Sequence, residues 1–252
     1  MALTLEAPVV ISPRQRPPAA VATDAIVLVC AFNEAKHIEG VVRGASRHLP
    51  VVVVDDGSRD GTADVASRAG AWVLRKERNT GKGSAMVAGF RWAVRSGYRA
   101  VVCLDGDGQH DTEEIPRFLE QWRAGHEVVF GNRMHDVGTM PAARLAVNRL
   151  MGTTVSTMAG YRIADPQCGF RLYSAACLRS LRIKTCRYDT ESEIAVQVAR
   201  NGFRVVSIPV RTIYQAAIKS KIRPIIDTVR FLRIVVYYSL VRHPDWKGTP
   251  PL

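Results

Sequence analysis

Two aspartates separated by one glycine close an apolar run in the segment CLDGDGQHD. The preceding residues, 100–104, are apolar and β-branched in part, which predicts a buried strand that ends at Asp105 and Asp107. Carboxylate oxygens are hard ligands, and Mg²⁺ is bound in proteins by one or two of them together with substrate phosphates. Asp-Gly-Asp is also a common turn sequence. The pair therefore indicates either a simple turn or a divalent-cation site beside a diphosphate.

Two more polar stretches follow predicted strands. The doublet Asn33-Glu34 comes after an apolar run, and Asp55-Asp56 follows four consecutive valines. In a parallel sheet, ligands bind beyond the carboxyl ends of the strands. We therefore expect these doublets and the 105–107 pair to converge on one crevice, which favours the cation site over the turn.

Short apolar runs alternate with helical patterns along most of the chain. Such alternation predicts an α/β fold with a mostly parallel sheet covered by helices on both faces. The expected strands lie at 25–30, 51–54, 71–74, 100–104, 127–130 and 203–208, and a loop over 164–173 enters a further strand. The expected helices are one ending near 48, then about 61–69, 81–95, one opening at 111, 141–159 and 190–201. Asp60 and Asp111 stand where side chains would cap two of these helices.

The composition divides the chain into three segments. Residues 1–24 are rich in proline and alanine without a periodic apolar face, which predicts a flexible N-terminal tail. Residues 25–215 carry the α/β pattern and are expected to form one domain. Residues 216–252 mix basic with aliphatic and aromatic side chains, as in an amphipathic helical segment at an anionic membrane surface. The alternative is that this last segment packs on the domain, for instance at a homodimer contact.

The charge is distributed unevenly. The net charge is +12, and residues 131–252 contain 19 Lys or Arg against 7 Asp or Glu, whereas the first 130 residues are balanced. A cationic half can face phosphates, nucleic acid or an anionic membrane. The longest uncharged stretch near the C-terminus, 234–241, is much shorter than the roughly 20 residues that span a bilayer.

The five cysteines lack CxxC spacing, which favours neither a disulfide framework nor a zinc site and fits a reducing cytoplasm.

The segment GKGSAM, residues 81–86, does not fit the usual nucleotide-binding motifs. Met86 stands where a dinucleotide fingerprint needs its third glycine, and Lys76 stands where a phosphate loop needs its first. Both motifs are therefore excluded by spacing.

Several motifs in consistent order carry a resemblance to a known family. AFNE, VVVVDDGSRDGT, GKGSA, LDGDGQH, GNRM and DPQCGFRLY resemble the family 2 glycosyltransferases of GT-A fold, in particular the dolichyl/polyprenyl-phosphate mannose or glucose synthase branch. The resemblance covers about residues 25–215. It implies a Rossmann-like sheet and an inverting transfer of a hexose, mannose or glucose, from a GDP- or UDP-sugar to a polyprenyl or dolichyl phosphate. It also implies Mg²⁺ or Mn²⁺ as cofactor and a peripheral location at the cytoplasmic face of the membrane, with no nucleic-acid partner.

The resemblance implies roles for individual residues. The nucleotide side comprises Phe32, Glu34, Asp55, Asp56, Lys82 and Asp105. The metal and diphosphate would be held by Asp105, Asp107 and Gln109. The acceptor phosphate would meet Arg133, Arg144, Asn148, Lys219 and Lys221, with Asn148 standing where the branch often has serine.

The acceptor decides whether a general base is needed. A phosphate is already anionic near neutrality and needs only positive charge around it, for which the planar fork of arginine is suited. A hydroxyl acceptor would instead need a base, for which Asp189 and Glu191 are candidates. Asp189, Glu191 and Glu193 are also placed to cap the helix at 190–201. His110 is expected to be a solvated turn residue rather than a ligand.

Two rival classes explain less of the sequence. A non-catalytic module that binds nucleic acid or membrane accounts for the charge of +12 but not for carboxylates at three strand ends. A nucleotidyltransferase on a similar sheet would be expected to carry a glycine-rich phosphate loop near its N-terminus, which this sequence lacks.

Overall fold

The computed structural model describes residues 9–11, 23–134, 142–159, 162–187, 189–213 and 236–237. Within them, one eight-stranded sheet has the order β1-β4-β3-β2-β5-β7-β6-β8. The strands are β1 Val9–Ile11, β2 Ala25–Ala31, β3 Val51–Asp55, β4 Trp72–Lys76, β5 Ala100–Asp105, β6 Val128–Asn132, β7 Arg171–Ser174 and β8 Val205–Pro209. Strands β4, β3, β2 and β5 run parallel, β7 is antiparallel to β5 and β6, and β8 is parallel to β6. The expected α/β fold with a mostly parallel sheet is confirmed.

Helices lie on both sides of the sheet. They are α1 Ile38–Ser46, α2 Thr62–Arg68, α3 Lys82–Arg95, α4 Ile115–Arg123, α5 Ala142–Ala159, α6 Ala175–Ser180 and α7 Thr190–Arg200, with a 3-10 turn at Thr112–Glu114. Successive strand residues point to opposite faces, so Leu28 joins one apolar cluster with Phe90, and Val29 joins the other with Phe118. Because both faces are buried, the central strands are apolar at nearly every position.

The expected strands and helices match the observed ones to within a few residues, and two short elements were not expected. Strand β1, Val9–Ile11, pairs antiparallel with β4 inside the stretch predicted to be a tail. Helix α6 has only six residues, too few to show a helical period, and Ser174 caps it by accepting a hydrogen bond from the Cys177 N–H. The predicted cap at Asp111 is present, since its side chain accepts from the Glu113 N–H. Asp60 lies one residue before Gly61, the N-cap of α2, and accepts from the Thr62 N–H.

The C-terminal segment is described only in part. Of residues 216–252, only Val236 and Tyr237 lie within the described ranges, so Lys219 and Lys221 lie outside them. Among the helices in the described ranges, none combines the length and the apolar character that a bilayer crossing requires.

Candidate active site

The three polar stretches meet at the carboxyl edge of the parallel strands. Cys30 of β2 is in register with Asp105 of β5, and Ala31 of β2 is in register with Asp55 of β3. The carbonyl of Cys30 accepts a hydrogen bond from the Gly106 N–H at 3.1 Å. The doublets and the 105–107 pair therefore line a single edge, as the order of the strands requires.

Asp105 is held between two basic side chains. Its Oδ1 lies 2.6 Å from Lys82 Nζ, and its Oδ2 lies 3.5 Å from His110 Nε2. Burial alone would raise the pKa of Asp105, but the Lys82 ammonium and the His110 ring outweigh it and hold the pKa well below its usual range. A Cβ at Gly169 would collide with this carboxylate, so the glycine allows the 165–170 loop to approach it. Asp105 is therefore ionised and tightly surrounded.

The pKa of Asp107 is shifted in the opposite direction to that of Asp105. Its two oxygens accept hydrogen bonds from the backbone N–H and the side-chain Nε2 of Gln109, each at 3.0 Å. Burial and the neighbouring charge of Asp105 raise the pKa of Asp107. The two carboxylates thus repel each other, and a cation placed between them would relieve that repulsion.

His110 is buried, so the prediction of a solvated turn histidine is wrong. Its ring packs against Phe170 with a centroid distance of 5.4 Å, and its backbone pairs with Thr212. The residue is 7% exposed, and its Nδ1 has no hydrogen-bond partner among the described residues. A packing partner so distant in sequence gives no local signal, which explains the error.

Lys82 connects two helices to the strand edge. It is the first residue of α3, and its Nζ lies 3.1 Å from Glu191 Oε1 of α7 as well as 2.6 Å from Asp105. Burial would lower the pKa of Lys82, but the carboxylates of Asp105 and Glu191 outweigh it and raise the pKa well above its usual value. Glu191 is 3% exposed, so its carboxylate is paired with the Lys82 ammonium and shielded from solvent.

The aspartates of the DDGS motif have different environments. Asp56 accepts hydrogen bonds from Lys76 Nζ at 2.5 Å, Gly81 N at 2.8 Å and Thr80 N at 3.1 Å. Asp55 is fully buried, and its Oδ1 accepts from the Ser58 N–H at 3.0 Å, whereas Oδ2 has no hydrogen-bond partner among the described residues. Asp56 therefore fixes the turn before α3, and Asp55 retains an acceptor.

The AFNE motif is hydrogen-bonded to the DDGSRDGT segment that follows β3. The Asn33 N–H donates to Ser58 Oγ at 2.8 Å, and the Glu34 N–H donates to Thr62 Oγ1 at 2.9 Å. Asn33 has a positive φ of 54°, a conformation that asparagine tolerates better than most residues. Phe32 is partly exposed and Glu34 is buried. The two hydrogen bonds hold the motifs in a fixed relation.

Arg133 is paired inside the domain. Its Nε and Nη2 donate to the two oxygens of Asp165 at 2.7 and 3.0 Å, which is a bidentate contact. Its side chain is 11% exposed. Burial would lower the pKa of Arg133, but the neighbouring Cys168 and Asp165 outweigh it and raise the pKa further. We expected the Arg133 guanidinium to bind an acceptor phosphate. In the structure it binds the carboxylate of Asp165.

The acids of the YDTESE stretch do not cap α7 as predicted. Asp189 precedes the helix, but its side chain accepts the Arg187 N–H at 3.2 Å and makes no hydrogen bond to the first turn. Glu193 is buried and accepts the N–H groups of Lys184 and Thr185. Asp189 stands at the N-cap position, and Glu191 and Glu193 lie in the first turn as expected, but no side-chain cap hydrogen bond forms. The preceding loop uses the oxygens of Asp189 and Glu193, and Glu191 pairs with Lys82.

Arg171 is a buried cation that the sequence analysis did not single out. Its guanidinium donates to the carbonyls of Cys168 at 2.7 Å, Pro166 at 2.5 Å and Glu191 at 3.0 Å. The residue is fully buried, and it ties the 165–170 loop to α7. The sequence signal for this buried cation is an arginine inside the apolar segment GFRLY, residues 169–173.

Two expected acceptor residues lie on α5. Arg144 and Asn148 belong to this helix, which packs against α7. Their side chains lie outside the described part of the structure, as do Lys219 and Lys221.

The donor set fits a hard divalent cation that arrives with its substrate. No group of three His, Cys, Asp or Glu side chains in the described ranges is arranged to hold a metal by itself. Two mutually repelling carboxylates, with the amide of Gln109 beside them, match Mg²⁺ or Mn²⁺ bound jointly with a diphosphate.

Known proteins resemble this chain in sequence and in fold. The family model described as glycosyl transferase family 2 matches residues 26–182. An undecaprenyl-phosphate mannosyltransferase of Micrococcus luteus is 31% identical over 78% of this chain and 86% of its own. A polyprenol monophosphomannose synthase of Mycolicibacterium smegmatis is 30% identical over 81% and 80%, respectively.

A solved structure shares the fold at lower identity. Glucosyl-3-phosphoglycerate synthase from Mycobacterium tuberculosis, in complex with Mg²⁺ and uridine diphosphate, aligns with a TM-score of 0.64 and 22% identity over 88% of this chain and 80% of that one. The match supports the GT-A architecture. The chain therefore belongs to glycosyl transferase family 2 and is a glycosyltransferase.

Proposed function

We propose that the enzyme transfers a hexose, mannose or glucose, from a nucleoside diphosphate sugar to a polyprenyl phosphate, with inversion at the anomeric carbon. The observation that carries the proposal is the placement of Asp105 and Asp107 at the carboxyl edge of the sheet, with Lys82 Nζ 2.6 Å from Asp105 and Gln109 Nε2 3.0 Å from Asp107. The names of the Micrococcus and Mycolicibacterium relatives support the lipid phosphate as acceptor. The uridine diphosphate and Mg²⁺ of the structural neighbour support a nucleotide donor and a divalent cation.

The donor nucleoside is assigned to the edge formed by the AFNE and DDGS motifs. Asp55 Oδ2 is a buried acceptor that receives no hydrogen bond among the described residues and lies 3.8 Å from Arg75 Nε, and a base N–H or ribose hydroxyl would supply that hydrogen bond. Phe32 and Glu34 border the same edge and would contact the nucleoside beside it. Asp56 is given a supporting role, because its carboxylate binds Lys76 and the 80–81 turn.

The diphosphate is assigned to the 105–109 turn. Asp105, Asp107 and Gln109 would hold Mg²⁺ or Mn²⁺, and when bound there the cation would neutralise charge on the departing diphosphate. Lys82 lies against Asp105 and adds a second positive charge beside the leaving group. Both contributions favour departure of the nucleoside diphosphate.

The transfer needs no general base. A phosphate oxygen of the acceptor attacks the anomeric carbon, the new carbon–oxygen bond forms opposite the bond to the diphosphate, and that bond breaks, which inverts the anomeric centre. Two anions must approach each other, so the acceptor side requires positive charge. We assign this role to Arg144, Lys219 and Lys221, with Asn148 one helical turn after Arg144. Arg133 shapes the loop through Asp165.

The C-terminal segment is proposed to bring the enzyme to the cytoplasmic face of the membrane. Lys184 Nζ donates to the Tyr237 hydroxyl at 2.7 Å and lies 4.8 Å from the centre of its ring. Val236 beside it is 56% exposed. These contacts favour a segment that is anchored to the domain at Tyr237, with the side chain of Val236 facing outward.

A thermal-shift titration tests the donor half of the proposal. UDP and GDP are each added with and without Mn²⁺, because a ligand that binds the folded state alone raises its melting temperature. We expect one nucleotide to stabilise the protein, and only when Mn²⁺ is present. Stabilisation by neither nucleotide at millimolar concentration would contradict the assignment of this crevice to a nucleoside diphosphate.

A further inference from the structure

The ammonium of Lys82 lies against the carboxylate that the proposed function assigns to a metal. Lys82 Nζ is 2.6 Å from Asp105 Oδ1 and 3.1 Å from Glu191 Oε1. The side chains of Lys82, Asp105 and Glu191 are 17%, 27% and 4% exposed, so solvent screens these contacts weakly. A cation that binds Asp105 must therefore share it with Lys82.

The scaffold, not the ion pair alone, fixes both partners. A Cβ at Gly81 or Gly83 would collide with the 186–190 segment, so the first turn of α3 packs directly on the residues before α7. The Gly81 N–H is also bound to Asp56 at 2.8 Å. The carbonyl of Glu191 accepts from Arg171 at 3.0 Å. Lys82 and Glu191 are thus held near each other by backbone contacts on both sides.

The local charge distinguishes a bare cation from a cation bound to diphosphate. Asp105 and Glu191 contact the ammonium of Lys82, and Asp107 follows Asp105 by two residues, so the three carboxylates exceed the one ammonium by two formal negative charges. The His110 ring lies 3.5 Å from the other oxygen of Asp105. A divalent cation alone would balance that charge but would be repelled by Lys82 at close range. A diphosphate that accompanies the cation provides oxygens that attract Lys82.

We propose that Lys82 is the internal counter-ion of the cation site and that Glu191 is its positioning residue, an inference that rests on the proposed function. Lys82 weakens the binding of a free divalent cation by occupying Asp105. When a diphosphate is present, Lys82 turns its ammonium from Asp105 to a diphosphate oxygen, and Glu191 keeps the ammonium within reach. The site therefore discriminates in favour of the metal–nucleotide complex over the metal alone.

Binding of Mn²⁺ alone, followed by electron paramagnetic resonance, tests the role of Lys82. Lys82→Met is expected to bind Mn²⁺ about tenfold more tightly than the unmodified enzyme, because a like charge beside Asp105 is removed. The same variant is expected to bind UDP or GDP about tenfold more weakly at saturating Mn²⁺, because the diphosphate loses a partner. Arg95→Met is the matched control, since it removes one positive charge from the exposed end of the same helix and should change neither affinity.

Glu191→Gln tests the positioning role of Glu191 and is expected to change Mn²⁺ affinity in the opposite direction to Lys82→Met. The amide can still accept a hydrogen bond from Lys82 but carries no charge, so Lys82 pairs with Asp105 alone and Mn²⁺ alone binds several-fold more weakly. Glu120→Gln, at an exposed position of α4, is the control and should leave Mn²⁺ binding unchanged. Circular dichroism identifies variants that do not fold, and Lys82→Gln then replaces Lys82→Met with the same expectation.

The outcomes separate this inference from the proposed function. If Asp107→Ala abolishes Mn²⁺ binding while Lys82→Met binds Mn²⁺ like the unmodified enzyme, the counter-ion role is wrong and the metal site stands. If Asp107→Ala binds Mn²⁺ like the unmodified enzyme, the metal site itself is wrong and the counter-ion role falls with it. Tighter binding of Mn²⁺ and weaker binding of nucleotide by Lys82→Met together support the inference.

Discussion

Two pairs of aspartates end the strands that flank β2, and the spacing within each pair determines their environments. Asp55 and Asp56 are adjacent, and consecutive side chains of an extended chain point in opposite directions. One therefore turns to Ser58 and the other to Lys76 and the turn before α3. Asp105 and Asp107 are two residues apart, and the charge of Asp105 raises the pKa of Asp107. Adjacent carboxylates thus divide into separate roles, whereas the spaced pair can act on one cation.

Asp107→Ala should have the largest effect, because it breaks the spaced pair. We expect the rate of transfer to fall by about 10³-fold, since the electrostatic stabilisation of the leaving group is lost. The rate is measured with labelled nucleotide sugar. Circular dichroism is expected to show an unchanged fold, because the carboxylate of Asp107 accepts its hydrogen bonds from Gln109 in the same turn. Full activity of this variant would show that Asp107 does not hold a cation required for transfer.

Asp56→Asn should damage folding rather than binding. The buried ammonium of Lys76 loses its charged partner, and breaking such a buried pair costs about 3–5 kcal/mol. Urea unfolding followed by fluorescence measures the change in the free energy of unfolding. A cost below about 1 kcal/mol would show that the pair is not a structural contact of the kind argued above.

Asp55→Asn is the matched comparison within the same doublet. The amide oxygen can still accept from Ser58, so we expect little loss of stability. Nucleotide affinity should fall about tenfold to a hundredfold, because the buried acceptor that faces the nucleoside becomes an N–H donor or is turned away. Calorimetric titration with nucleotide and Mn²⁺ measures the effect, and an unchanged affinity would remove Asp55 from the donor site.

Asp189→Asn should have the smallest effect. A phosphate acceptor requires no proton removal, so the transfer rate is expected to stay within about threefold of the unmodified enzyme. Glu191 is neutralised by Lys82, which leaves Asp189 as the acid that a hydroxyl acceptor would need. Near-complete loss of transfer would therefore favour a hydroxyl acceptor with Asp189 as its base.

The parts predicted well from sequence are those that depend on local pattern. The valines of β3 and the apolar run of β5 identify buried parallel strands, and parallel strands bring their carboxyl ends together. The convergence of Asp55 and Asp105 on one edge follows from this topology.

The parts predicted poorly depend on contacts between distant segments. The ring of His110 packs on Phe170, and its backbone pairs with Thr212. Arg133 pairs with Asp165, which the 165–170 loop brings to it. The oxygens of Glu193 bind the folded-back loop at 184–185. No local period or spacing encodes these pairs, so the sequence indicated the residues but not their partners.

Transfer of labelled hexose to a lipid tests the central claim most directly. The enzyme is incubated with Mn²⁺, GDP-mannose or UDP-glucose, and vesicles that contain either polyprenyl phosphate or the matching polyprenol. We expect label to enter the lipid fraction only with the phosphate, and the product to have the anomeric configuration opposite to that of the donor. Label on the polyprenol, or a product with retained configuration, would contradict the account.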